Sequence, residues 1–350
     1  MMKTILLLSI LLAYCKAQAQ PTTPPEIVQE LGARFPQNTQ IAIAIIKNNK
    51  VEYHGFIRRD SSYQVSDNKN SIFEIGSITK VFTSTILAQA IVDKKVKPQQ
   101  KLKTLVPFKL KGKPKITLEQ LSNHTSGLPR LPNNMFLVMA ENATNPYKMY
   151  DEQLLKEFAI KELEVDAKRK LSFAYSNLGA GMLGYALGRA YKKPYEQLLK
   201  TLIFEPFGLN NSYTDVHQVP EEKLVKGLDV IGQVVPNWEW NVLAPAGCIL
   251  SSVEDLSNFV QANLSNDYPV LERQQQASFK HNKDMSLALG WLIITKKEKE
   301  YYFHNGGTSG YTSAVFFNKK DQEGIVILSN VSPSSPQRGQ IERMALMMLR

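Results

Sequence analysis

The chain has 350 residues, of which 43% are hydrophobic and 21% charged, with a formal net charge of +10. This is an ordinary globular composition with ample chain for a core, as one large domain or two. The only cysteines are Cys15 and Cys248, which excludes a disulfide framework and a multi-cysteine metal site.

The N-terminus reads as a targeting segment over residues 1–19. Lys3 supplies the positive charge, Ile5 to Ala13 the apolar stretch, and Ala17-Gln18-Ala19 a small-residue cleavage site. The apolar stretch is too short to span a bilayer, and no later run is long enough to do so. The expected product is a periplasmic or secreted protein beginning at Gln20. A lipoprotein anchored through Cys15 is the rival, and the bulky Tyr14 before that cysteine counts against it.

A helix is expected from Pro25 to Ala33. Gln40 to Ile46 is apolar on both faces and reads as a central strand. A turn at Lys47-Asn48-Asn49-Lys50 returns it along Val51 to Ile57, and Arg58 to Asn70 reads as a loop. Next comes Phe73-Glu74-Ile75-Gly76-Ser77-Ile78-Thr79-Lys80, followed by an apolar helical run to Ile91 without Pro or Gly. Nine lysines lie between Lys94 and Lys115 with Phe108 as the lone aromatic among them. A nucleic-acid site calls for interleaved aromatics, so this run reads as a solvated basic face and no nucleic-acid partner is expected.

Thr117 caps a short helix, Leu118 to Asn123, which stops at His124-Thr125-Ser126-Gly127-Leu128-Pro129. His124 reads as the residue that fixes this turn. Pro132 to Pro146 reads as a loop with a helical piece, and Tyr150 to Lys161 as an amphipathic helix. Tyr175-Ser176-Asn177 precedes a helical run to Tyr191 carrying Gly179, Gly181, Gly184 and Gly188. Four helical glycines cost about 1 kcal/mol each against Ala, so they imply close approach to another helix. A further helix is expected from Tyr195 to Phe204. Ala244 to Cys248 is a turn, with Cys248 read as a small buried residue. Ser252 caps the next helix with Asp255 three residues on. Strands are expected at Leu287 to Thr295, Tyr301 to Asn305, Tyr311 to Asn318 and Gly324 to Asn330, then a closing helix from Gln337 to Leu349. Strands at both ends with helices between give an α+β fold. The sheet domain is discontinuous, 20–75 and 285–350, and a mostly helical domain spans 76–284.

Three separate stretches supply one set of chemical groups. Ser77 and Lys80, three residues apart on a helix, share a face with Cβ atoms about 5–6 Å apart. Serine needs a base to become a nucleophile, and a lysine is one when burial or a nearby cation lowers its pKa. Tyr175 offers a phenol that can pass protons, and Asn177 a carboxamide that can hold a substrate amide. His304-Asn305-Gly306-Gly307 ends a strand with polar groups and a bare backbone that a substrate can approach.

From about Gln40 to Asn330 the order of these motifs resembles the penicillin-interacting serine enzymes. The similar branch has a Tyr-x-Asn second motif: class C β-lactamases, serine D-Ala-D-Ala carboxypeptidases and related esterases. The resemblance implies a β-lactamase/transpeptidase-like fold, an antiparallel sheet flanked by N- and C-terminal helices, with the active site at the interface with the helical domain. It also implies roles. Ser77 becomes acylated, Lys80 helps deprotonate it, Tyr175 relays protons, and Asn177 binds the substrate's amide. His304, Asn305, Gly306 and Gly307 line the binding side, and the N–H groups of Ser77 and Gly307 hold the oxyanion. Two departures stand out. His304 occupies the place of the family's common Lys, and Asn305 that of a Thr. An ordinary histidine protonates below pH ~6.5, so acid is expected to strengthen selection for carboxylate-bearing substrates.

The expected activity is β-lactam hydrolysis through an acyl-enzyme, with no cofactor or metal. The enzymatic alternative is a peptidase or esterase acting on D-amino-acid peptides or acyl esters. The alternative of another class is a penicillin-binding sensor with little turnover. The chain is expected to be a monomer.

Overall fold

The computed structural model describes residues 22–349 except 167, 169 and 297. The expected leader at 1–19 and Cys15 lie outside the described residues. α1 (Pro24–Leu31) is followed by β1 (Gln40–Lys47), β2 (Lys50–Arg59), β3 (Ser62–Val65) and β4 (Phe73–Glu74). Then come α2 (Thr79–Val92), α3 (Leu118–Ser122), α4 (Met135–Glu141), α5 (Glu152–Glu157), α6 (Asn177–Tyr191) and α7 (Tyr195–Leu199). Short strands β5 (Gly227–Leu228), β6 (Val234–Val235) and β7 (Leu250–Ser251) lead into α8 (Val253–Leu264) and α9 (Pro269–Gln275). The chain closes with β8 (Phe279–Lys280), β9 (Met285–Leu287), β10 (Leu292–Lys296), β11 (Lys299–Gly307), β12 (Thr312–Asn318), β13 (Glu323–Ser329) and α10 (Gly339–Met348).

Among the described residues one antiparallel sheet has nine strands, in the order β3-β2-β1-β13-β12-β11-β10-β9-β8. The first and last strands of the chain therefore meet in the middle, where Ile43 pairs with Ile327. Successive strand residues face opposite sides, and β1 uses both. Ile41 and Ile43 pack with α1 and α10, whereas Ala42, Ala44 and Ile46 pack into the larger core with α2, α6 and α8. That is why the sequence shows no polar face there. α2 is buried along almost its whole length, as an all-round apolar helix must be.

Three details differ from the sequence reading. The expected loop at 58–70 contains β3, an edge strand whose side chains are exposed or half-buried and so carry no hydrophobic alternation. The expected strand at 287–295 is split between β9 and β10, because Gly290 (φ +75°) leaves the extended region and packs against Ser84 and the Lys80 carbonyl. Two of the α6 glycines answer a turn and not a second helix: a Cβ on Gly181 would fall 2.4 Å from Leu243, and one on Gly184 would fall 2.1 Å from Pro245. Further along, the helical stretches after α5 and α7 widen into π-type turns at Phe158–Glu162 and Lys200–Phe204. The nine lysines between Lys94 and Lys115 are all exposed. No helix among the described residues is long and apolar enough to cross a membrane.

Candidate active site

Ser77 sits in a single 3₁₀ turn, Gly76–Ile78, immediately before α2. Gly76 has φ +51°, a conformation that disfavours a side chain, and a Cβ there would fall 2.7 Å from the Gly307 nitrogen. Glycine at 76 thus brings the backbone beside Ser77 against the end of β11. Gly306 is equally constrained, since its Cβ would lie 2.0 Å from the Ile75 carbonyl oxygen. Ser313 Oγ donates to that same carbonyl at 2.9 Å. The first and third motifs are therefore locked together through backbone contact. Ser77 and Gly307 therefore line the same cleft.

One helical turn on, Lys80 is 2% exposed. Its Nζ lies 2.9 Å from Ser77 Oγ and donates to the Ala246 carbonyl at 2.6 Å. Burial, and then the Arg130 guanidinium, hold this amine well below the usual lysine range. Here Nζ donates to Ser77 Oγ, and an amine whose pKa is lowered in this way is a candidate base for that hydroxyl. Lys80 Nζ also sits 4.9 Å from the centroid of the Tyr175 ring.

The second motif is held by the turn after α3. Ser176 caps α6: its Oγ accepts from the Gly179 N–H at 2.8 Å and donates to the Pro129 carbonyl at 2.6 Å. His124 adopts φ +57°. Its Nδ1 accepts from the Ser176 N–H at 3.2 Å, and its carbonyl accepts from the Ala174 N–H at 2.8 Å. Its ring lies 4.4 Å from that of Tyr175. His124 thus fixes the turn, as expected, and also seats the Tyr175 phenol. Tyr175 is hydrogen-bonded to Ser77, and burial raises its hydroxyl above the usual tyrosine range, against the opposing pull of Ser77 and Arg130. It therefore starts protonated, with a proton to give. Asn177 Nδ2 donates to Tyr147 Oη at 3.0 Å, while Asn177 Oδ1 is buried without a hydrogen-bond partner. That leaves an acceptor for a substrate amide N–H.

On β11 the alternation separates His304 from Asn305. Asn305 lines the cleft and donates through Nδ2 to Glu342 Oε1 of α10 at 2.8 Å. His304 is 3% exposed on the opposite face, with its ring 6.4 Å from Tyr175. Its Nδ1 lies 2.7 Å from the Asn305 carbonyl. Burial, followed by the neighbouring Lys80, pulls this imidazole down to about 3. The expectation that His304 gains charge just below pH 6.5 is thus overturned. Enclosure, not the missing lysine, decides its state.

The cleft has a volume of about 700 Å³. It contains groups that no motif announced. Tyr147 stacks on Trp240 at 4.0 Å, and Trp238 meets it at 5.2 Å. Glu74 fixes this aromatic wall, accepting from the Trp238 N–H at 2.9 Å and from Asn237 Nδ2 at 2.7 Å. Arg130, Arg338 and Glu342 supply the charge. The Trp238-Glu239-Trp240 pair and an arginine directly after the turn proline were visible signals. Nothing in the sequence ties the start of α10 to the site. Among the described residues no group of three or more His, Cys, Asp or Glu is arranged to hold a metal.

Comparison with known proteins agrees with this geometry. A family model described as Beta-lactamase matches residues 29–346. A β-lactamase of Providencia stuartii is 24% identical, over 85% of this chain and 83% of its own. The D-alanyl-D-alanine-carboxypeptidase/endopeptidase AmpH of Escherichia coli (strain K12) is 26% identical, over 90% of this chain and 87% of its own. Among solved structures, a β-lactamase/D-alanine carboxypeptidase from Yersinia pestis complexed with citrate superposes with a TM-score of 0.75 at 23% identity, covering 93% of this chain and 97% of that one. An octameric penicillin-binding protein homologue from Pyrococcus abyssi gives 0.74 at 24% identity, covering 92% and 75%. These likenesses establish an α+β, β-lactamase/transpeptidase-like fold, and the match along most of its length shows that the chain belongs to the β-lactamase family of serine hydrolases.

Proposed function

We propose that the chain opens β-lactam amides through an acyl-enzyme on Ser77. The observation that carries this reading is the buried Lys80 amine, 2.9 Å from Ser77 Oγ and anchored on the Ala246 carbonyl. Ser77 Oγ attacks the carbonyl carbon as its proton passes to Lys80. The negative oxygen is met by the N–H groups of Ser77 and Gly307, and losing one such donor typically costs ~10²–10³ in rate. Collapse breaks the C–N bond, and the nitrogen takes the proton returned through Tyr175. Water then attacks the ester, gives its proton to the same Lys80–Tyr175 pair, and Ser77 Oγ leaves with a proton restored. Asn177 Oδ1 accepts the substrate's side-chain N–H.

A second reading is hydrolysis of D-amino-acid peptides or small acyl esters. One observation favours it: the cleft end of β11 offers no cation, because His304 is neutral and Asn305 is tied to the Glu342 carboxylate. A chromogenic cephalosporin, a D-Ala-D-Ala peptide and a p-nitrophenyl ester compared side by side separate the two. Ser77→Ala should abolish turnover of whichever is the substrate, and labelling by penicillin as well. A labelled variant in the mass spectrum would dismiss Ser77 as nucleophile. A penicillin adduct on the natural chain that persists for hours marks a sensor.

We infer export to the periplasm or beyond from the charge, apolar stretch and small-residue pattern of residues 1–19. Intact mass after expression in a Gram-negative host tests this: a chain beginning at Gln20 agrees, and a diacylglyceryl group on Cys15 does not.

A further inference from the structure

The steps above leave Arg130, a charged group of the cleft, without a task. Arg130 follows the turn at Gly127–Pro129. Its carbonyl accepts from the N–H groups of Asn177 at 2.9 Å and Leu178 at 3.2 Å, so its backbone is pinned to the head of α6. Its guanidinium carbon lies 5.1 Å from the centroid of the Tyr175 ring. Among the described residues no carboxylate pairs with it. A guanidinium is charged at every pH of interest.

The groups that face Tyr175 are Lys80 from α2, His124 from the turn after α3, Arg130, Tyr147 from the loop before α5, and His304 from β11. Burial holds both histidines well below their usual range and the Tyr147 hydroxyl above its own. Burial pushes Lys80 toward its neutral form as well, so Arg130 is the one permanent charge against the ring among these groups. The opposite side of the cleft carries Arg338 and Glu342 on and before α10. They bring one charge of each sign.

We propose that Arg130 is the fixed cation of this catalytic centre, a positioning residue that holds Lys80 in its basic form and eases proton loss from Tyr175. This rests on the serine-acylation reading above. The chemistry needs it because the cleft end of β11 lacks a cation, and a phenol passing a proton in a buried site builds negative charge on its oxygen. A cation beside a base and a relay acts in the same sense on both: it favours the form with one proton fewer. His304 cannot do this while enclosed and neutral. Arg130 reaches the ring from the open side of the cleft, where its own charge stays hydrated at little cost.

The experiment follows the acid limb of the pH profile in the natural chain, Arg130→Gln and Arg130→Lys. Three rates are read: hydrolysis of a chromogenic cephalosporin, hydrolysis of a neutral p-nitrophenyl ester, and labelling of Ser77 by a fluorophosphonate. Removing the cation raises the pKa of the base, so the limb of Arg130→Gln should move upward by about one pH unit in all three. Arg130→Lys should stay close to the natural profile. Raising salt from about 0.05 M to about 1 M should move the natural limb upward and leave that of Arg130→Gln in place. An unmoved limb with a loss confined to the cephalosporin makes Arg130 a carboxylate contact and overturns the proposal. An unmoved limb with an equal loss in all three reduces it to a support for the α6 turn. Labelling keeps the test alive whatever the substrate is. If Ser77 of the natural chain takes no label at all, the acylation reading falls and takes this one with it. If Ser77 is labelled but its limb ignores Arg130, this proposal alone fails.

Discussion

His304 shows how far enclosure overrides residue type. Its imidazole is pulled to about 3 by burial and by Lys80, whereas an unfolded histidine titrates near 6.5. Between those values the unfolded chain binds the extra proton, so stability rises with pH through that window, is fully present above about 6.5, and is lost as pH falls. From pH 6.5 to pH 5 the loss from this one group is about 2 kcal/mol, and His124 adds to it in the same direction. Denaturant midpoints measured across that range should therefore fall with acid, and more shallowly in His304→Gln. Parallel curves for the two proteins would contradict the enclosed, neutral imidazole. Function should be silent over the same range: the cephalosporin-to-ester rate ratio is expected to stay flat from pH 5 to 8, and a steady change in that ratio would count against it. Cys248 is likewise decided by enclosure. It is 2% exposed, and burial raises its thiol, so a thiol reagent should leave it unmodified until the chain unfolds.

At the scale of elements, α6 is built to lie against the turn that holds Lys80. Gly184 meets Pro245, a rigid ring, and the next residue's carbonyl, Ala246, receives the Lys80 amine. Gly184→Ala gains about 1 kcal/mol of helix propensity, but the methyl would sit 2.1 Å from Pro245 Cγ. Overpacking of this kind costs about 1–3 kcal/mol, so a net loss of stability is expected, with a fall in kcat as the Ala246 carbonyl shifts. At Gly339, the first residue of α10, an added methyl would meet nothing within 4 Å. Gly339→Ala should stabilise by about 0.5–1 kcal/mol. Thermal melts of both variants check the pair. Equal shifts would show that packing against Pro245 plays no part.

On the scale of the molecule, the sheet and the helical region share one core. Ala42, Ala44, Val315, Phe317, Val326 and Leu328 of the sheet belong to the same buried cluster as Val81, Phe82, Leu183 and Phe259. The candidate site lies on that junction, with Ser77 and Lys80 from the helical side and Gly307 from the sheet. Neither part can lose its structure without exposing the other's apolar face. Unfolding should therefore be one cooperative transition with calorimetric and van't Hoff enthalpies in agreement, and acylation of Ser77 should raise its midpoint. Two separated transitions would show that the regions fold independently.

Some of this was determined by sequence alone. Long apolar runs such as β1 and α2 are buried on all sides, so their character survives any arrangement of neighbours. Turn chemistry is local too, and Gly127, Pro129 and Ser252 mark their boundaries without help. The order of Ser77-x-x-Lys80, Tyr175-x-Asn177 and His304-x-x-Gly307 was legible for the same reason. Other features needed the tertiary structure. The edge strand β3 carries no alternation because its sides are open to water. Gly290 breaks a strand to make room for Ser84, and Gly181 and Gly184 of α6 answer a partner about 60 residues away in the chain. The charge state of His304, the resting form of Lys80 and the place of Arg130 against Tyr175 depend on desolvation and on distances between side chains far apart in sequence. These are properties of the enclosure, and no single residue carries them.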